Sequence, residues 1–130
     1  MRRHVYTEND ARIGLTVALR ANGTVNSSIA IDTTGYRTAM LVAVTGTITD
    51  GTHALKLQDS DDGSTNWVDV ADTVGSVSLI STSDDTTQES GAHNFRRFLR
   101  VVATTSGAAT GGTFGAVVIL GTPRRTPVTH

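Results

Sequence analysis

Apolar and polar residues alternate along most of this chain. The clearest stretch is 54–70, ALKLQDSDDGSTNWVDV. Leu55 and Leu57 alternate with Lys56 and Gln58, the period of a half-buried strand. Asp59, Ser60, Asp61, Asp62, Gly63 and Ser64 then form a cluster of turn formers. Their side chains bond the local backbone, and Gly takes positive φ at no steric cost. Val68 and Val70 resume the alternation. The stretch predicts strand, acidic turn and strand, and it sets the fold class as all-β.

The same period recurs on both sides. Ile13, Leu15, Val17 and Leu19 mark a first strand, and Asn22-Gly23 predicts a hairpin into a second over 25–32, with Ile29 and Ile31 inward. Residues 37–49 form the longest candidate, with Ala39, Leu41 and Ala43 on one face and Met40, Val42 and Val44 on the other. Asp50-Gly51 predicts a hairpin into the strand at 54. A short strand follows at 74–80, and 81–94 reads as a polar loop with at most a poor edge strand near 87–89. Strands at 95–105 and 114–120 flank a Gly-rich turn. No segment has a helical period. The pattern of about eight strands predicts an antiparallel β-sandwich of jelly-roll type, with a small barrel as the alternative. An N-terminal arm (1–10) and a C-terminal tail (123–130, with Pro123 and Pro127) extend from the sandwich at 11–122.

Three strands, 39–44, 98–103 and 114–120, are apolar on both faces. A sandwich sheet needs only one apolar face, so a second one predicts a cover, either a partner subunit or, as the alternative, a long loop or an arm of the chain. The expected oligomer interface comprises Met40, Val42, Val44, Phe98, Val102, Val117 and Ile119.

Composition narrows the chemistry. The 130 residues make one domain and include no Cys, which excludes disulfides and thiolate metal sites. No apolar run is long enough to cross a membrane as a helix, and the basic start MRRH has no apolar stretch behind it, so no secretion signal or membrane partner is expected. Net charge is −1, but unevenly spread: 50–89 holds nine acids and one base, and 90–130 holds five Arg and no acid. This asymmetry reads either as a solvated acidic face with scattered Arg or as an acidic end facing solvent and basic segments facing a partner.

No catalytic centre is visible. The acidic turn invites Ca²⁺, yet counting twelve positions from Asp59 reaches Val70, where an EF-hand loop needs Glu. His4, His53, His93 and His130 lack metal-site spacing, and no GxSxG elbow or P-loop is present. Nothing selects Asp69 and Asp72 as a glycosidase pair from the other acids. Arg96, Arg97 and Arg100 with Phe95 and Phe98 divide over two strand faces, so no nucleic-acid partner is expected. Trp67 is the only Trp; it reads as a packed side chain, with a sugar platform as the alternative. The expectation is no enzyme and no cofactor or metal.

Two resemblances add to this reading. The segment SDDGSTNWVDV (60–70) is similar to the S-x-DG-x-x-W hairpin of discoidin and other galactose-binding-like jelly rolls, where it is structural. More broadly, QDSDDGSTNWVDV, FRRFLRVVATTSG and the closing VVILGTPRRTP resemble small virion proteins of tailed bacteriophages, of the head decoration or cement type. That resemblance implies a structural protein made in the host cytoplasm and seated on the capsid surface. It implies a homo-oligomer, commonly a trimer, with the major capsid protein as partner. Arg2, Arg3, Arg124 and Arg125 would then face the capsid. A tail or connector component, or a carbohydrate- or receptor-binding module, remains open as an alternative.

Overall fold

A computed structural model describes residues 5–26 and 29–123. Arg2, Arg3, Arg124, Arg125, His4 and His130 lie outside the described residues. The chain forms an antiparallel β-sandwich of jelly-roll type. One helical turn, α1 (Val5–Glu8), precedes β1 (Asp10–Arg20), so part of the expected arm is regular. There follow β2 (Gly23–Asn26), β3 (Ile31–Asp32), β4 (Tyr36–Ile48), β5 (Thr52–Ser60), β6 (Val68–Asp69) and β7 (Thr73–Val74). The last four are β8 (Val77–Leu79), β9 (Thr87–His93), β10 (Phe98–Ser106) and β11 (Gly112–Pro123).

The first sheet has the order β1-β11-β4-β9-β7. In the second, β10 lies between β5 and the short pair β2 and β3, while β6 and β8 share the far edge of β5. Strand alternation sets the core. Ala39, Leu41 and Ala43 of β4 and Phe114, Ala116, Val118 and Leu120 of β11 face Leu55 and Leu57 of β5 and Leu99, Val101 and Ala103 of β10. Gly14 lets the sheets approach, because a Cβ there would lie 2.5 Å from Val101 Cγ2.

Two expected hairpins and the Gly-rich turn are corners between sheets. The turns at Asn22-Gly23, Asp50-Gly51 and 107–111 each leave one sheet and enter the other. The Asp50 carboxylate ties two corners together, accepting from the backbone N–H groups of Ala109, Thr110 and Gly111. The expected loop at 81–94 contains the seven-residue strand β9, paired with β4 from Thr38↔His93 to Val44↔Thr87. Its sequence, TQESGAH, has no apolar alternation and only Ala92 is buried, so pairing rather than burial holds it. Ile31 points inward as expected, but Ile29 is exposed. The expected hairpin at 54–70 does form, although its second strand is only two residues long.

Candidate functional site

Two surfaces stand out, one a sheet face and one an end of the sandwich. The face is the outside of the β1-β11-β4-β9-β7 sheet. Register places Ile13, Val117 and Val42 side by side in one row, and Ala11, Ile119 and Met40 in the next. Val17, Leu19 and Val44 extend the patch, at 69%, 63% and 44% exposure. Beyond β4 the row through Val42 ends at Glu89, which sets a polar margin. Five of the seven residues expected at an interface (Met40, Val42, Val44, Val117 and Ile119) are thus brought together on one face. Phe98 and Val102 are not: both lie on β10 of the other sheet, and Val102 is buried within the chain. Ile13, Val17 and Leu19 belong to the patch but were missed, because their strand showed only one apolar face in the sequence.

The end is where β1 and β10 begin and β5, β9 and β11 finish. The acidic turn lies here, and its carboxylates are engaged. Asp62 accepts from the backbone N–H groups of Ser64 and Thr65 and from the hydroxyls of Thr65 and Ser60. The Thr65 and Ser64 N–H groups, with those hydroxyls, hold its carboxyl far below the usual range. Arg96 spans Asp59 and Asp61 at 3.0 and 3.2 Å. Arg97 forks onto Asp32 at 2.9 and 3.2 Å and lies 4.9 Å over the Phe98 ring. That fork and the Thr34 hydroxyl and N–H hold the Asp32 carboxyl far below its ordinary value.

Trp67 is half-buried on the outer face of the second sheet, outside the core. The Arg100 guanidinium sits 4.5 Å over its ring and donates to Gln58 Oε1, while Gln58 and Lys56 donate to Asp69. The ring face that a sugar would need therefore already carries a cation.

Beside the acidic turn, the loop from Thr33 to Arg37 and the β9–β10 connection enclose a cleft of about 620 Å³. Tyr36 and Phe95 pack from it against the core. Burial, with Asp10 nearby, raises the Tyr36 phenol above its ordinary pKa. Arg37 lines the cleft, is exposed, and has no ion pair or side-chain hydrogen bond among the described residues. No group of three or more His, Asp and Glu side chains is placed to hold a metal ion among the described residues.

Comparison with known proteins bears on the fold. No family model matches the chain, and no curated protein matches it in sequence. Solved structures do. The PBSX exported protein XepA aligns with a TM-score of 0.62 at 17% identity, over 93% of this chain and 39% of that one. The SPBc2 prophage-derived protein YomS aligns with a TM-score of 0.53 at 11% identity, over 91% of this chain and 98% of that one. A CBM35 from Cellvibrio japonicus Abf62 gives 0.44 at 15% identity, over 94% and 99%. The chain thus spans well under half the length of XepA and nearly all of YomS. At these identities XepA and YomS show a shared fold and nothing finer.

Proposed function

We propose that this chain is a non-enzymatic virion structural protein, a decoration protein that binds the outer surface of a phage head as a homo-oligomer. The observation that carries this reading is the apolar outer face of the first sheet. Ile13, Val117 and Val42 form a row that water would wet in a monomer, and contiguous patches of this kind mark association surfaces. Closed symmetry would cover the patch, and the sequence resemblance to cement proteins suggests a trimer. The fold shared with the prophage-derived YomS is in keeping with a phage origin. The partner in this reading is the major capsid protein, with Arg2, Arg3, Arg124 and Arg125 directed toward it. A sugar-binding role for Trp67 is the weaker reading, because Arg100 occupies its ring.

The experiment is co-sedimentation with undecorated heads of the phage that encodes the chain. The full chain should pellet with heads, and replacing the four Arg by Gln should weaken attachment while leaving the oligomer intact. Each exposed ion pair contributes at most about 1 kcal/mol, so attachment needs several subunits acting together. A chain that never pellets with heads is not a decoration protein.

A further inference from the structure

The cleft between residues 33–37 and 94–97 combines shape with an unused cation. Its volume of about 620 Å³ lies within the range of ligand sites. Both walls are fixed. The Thr33 N–H and hydroxyl bond the Arg97 carbonyl across it, and the Asn94 side chain donates to Asp72. Gly35, at φ +94°, leaves the space beside it open, with nothing within 4 Å of where a Cβ would stand. The guanidinium of Arg97 is held at the rim by Asp32 and Phe98, and its Nη1 has no partner among the described residues. Arg37 contributes a whole guanidinium that has no counterion among the described residues.

We propose that this cleft binds a carboxylate-rich peptide segment of a partner protein, with Arg37 as the principal ligand. Charge selects the ligand. Arg96 and Arg97 are already paired with Asp59, Asp61 and Asp32, so among the described residues Arg37 is the cation without an ion pair that lines the cleft. A nucleic-acid strand needs a track of cations along its backbone, which one guanidinium does not supply. A guanidinium forks onto one carboxylate. Tyr36 and Phe95 are partly buried against the core, which reduces the ring surface they can offer a saccharide. Position supports a peptide as well. Pro123 pairs with Tyr36 at the cleft, and Arg124 and Arg125 follow it directly in sequence. That the partner is a capsid protein rests on the function proposed above; the carboxylate chemistry does not.

The test is an amide chemical-shift titration of the full chain with octaglutamate. The amides of Gly35, Arg37, Asn94 and Phe95 should move, and added salt should reverse the shifts. Arg37→Gln should weaken binding about fivefold, the loss of one accessible ion pair. It should also fold normally, since the side chain has no internal partner. A chain with Arg2, Arg3, Arg124 and Arg125 replaced by Gln should still shift the same amides. Shifts confined to other residues, or Arg37→Gln binding as tightly as the parent, would overturn the proposal. A stronger response to oligogalacturonate or to single-stranded DNA than to octaglutamate would overturn the choice of a peptide. The two readings fail separately: octaglutamate binding without head binding removes the virion role alone, and head binding without octaglutamate binding removes the cleft alone.

Discussion

Arg20 carries a buried cation with no ion pair among the described residues. It is 8% exposed, lies 4.9 Å over the Phe114 ring, and donates to the carbonyls of Thr16, Ala18 and Phe114. Those acceptors surround the irregularity in β1 between Leu15 and Ala18, where pairing with β11 shifts register. Burial lowers its pKa, but the fan of carbonyls suits a group that cannot shed its proton at neutral pH. Arg20→Met removes the desolvation cost of the charge and also strips donors from three carbonyls. The second effect is the larger, so the urea midpoint should fall by the equivalent of about 2 kcal/mol. A midpoint that rises would show that water or a shifted backbone serves those carbonyls. Asp32 and Asp62 set the acid limit. Both have folded pKa values held below their ordinary 3.8, so their stabilisation is present above about pH 4 and is lost as pH falls further. Melting temperature should therefore decline from about pH 4 downward, and Asp62→Asn should flatten part of that decline while lowering the neutral-pH value. A pH profile unchanged by Asp62→Asn would locate the acid sensitivity elsewhere.

The elements were legible in the sequence where burial wrote the pattern. Along β4, β5, β10 and β11 the apolar alternation predicts the inward residues seen in the core. The connections were not legible, and the reason is local. Asn22-Gly23 and Asp50-Gly51 bend the chain with the same turn chemistry whether the next strand pairs with the last or crosses to the facing sheet. That choice rests on contacts far away in sequence, such as Asp50 with the amides of Ala109, Thr110 and Gly111. The strand β9 escaped for the opposite reason: pairing with β4 and β7 defines it, and pairing leaves no hydrophobic signature. Trp67 and the cleft were hidden likewise, since the placement of Arg100 over Trp67 and of residues 94–97 beside 33–37 exists only after folding. Gly111 shows how tightly one corner is set. It has φ +94°, and a Cβ there would meet the Arg20 backbone oxygen at 2.0 Å. Backbone cannot yield as a side-chain tip can, so Gly111→Ala should cost at least about 2 kcal/mol by strain and overlap together. Gly107→Ala, also at positive φ but with nothing within 4 Å, should cost less, and chemical denaturation of the pair separates overlap from strain. Equal losses would leave the close approach at Gly111 without energetic weight.

On the scale of the whole molecule, the charge asymmetry of the sequence does not become a simple acidic end and basic end. The acidic turn with Asp59, Asp61 and Asp62 sits at the end where β1 starts and β11 finishes, while Asp50, Asp84 and Asp85 lie at the other. Arg96, Arg97 and Lys56 neutralise acids that the sequence leaves unpaired. What survives as a whole-molecule feature is the apolar outer face of the first sheet, which continues to the edge of β1, unpaired among the described residues. Such an edge invites association unless it is covered. Val117 lies in the middle of this face, between Ile13 and Val42, and its side chain points away from the core. Val117→Glu should therefore leave the fold of one subunit nearly untouched, within about 0.5 kcal/mol, as for other outward substitutions. In an oligomer built on this face the same change buries an unpaired carboxylate, with Glu89 nearby to repel it. A penalty of about 3 kcal/mol at the interface raises the dissociation constant more than a hundredfold. Sedimentation equilibrium at micromolar concentration should then find the parent chain associated and Val117→Glu monomeric, with similar circular dichroism. Val102→Glu is not an equivalent control, because Val102 is buried; Thr104→Glu, outward on the other sheet, is one, and it should leave the oligomer intact. A monomeric parent chain would refute self-association, and an oligomer that tolerates Glu at 117 and breaks on Thr104→Glu would move the interface off this face and onto the second sheet.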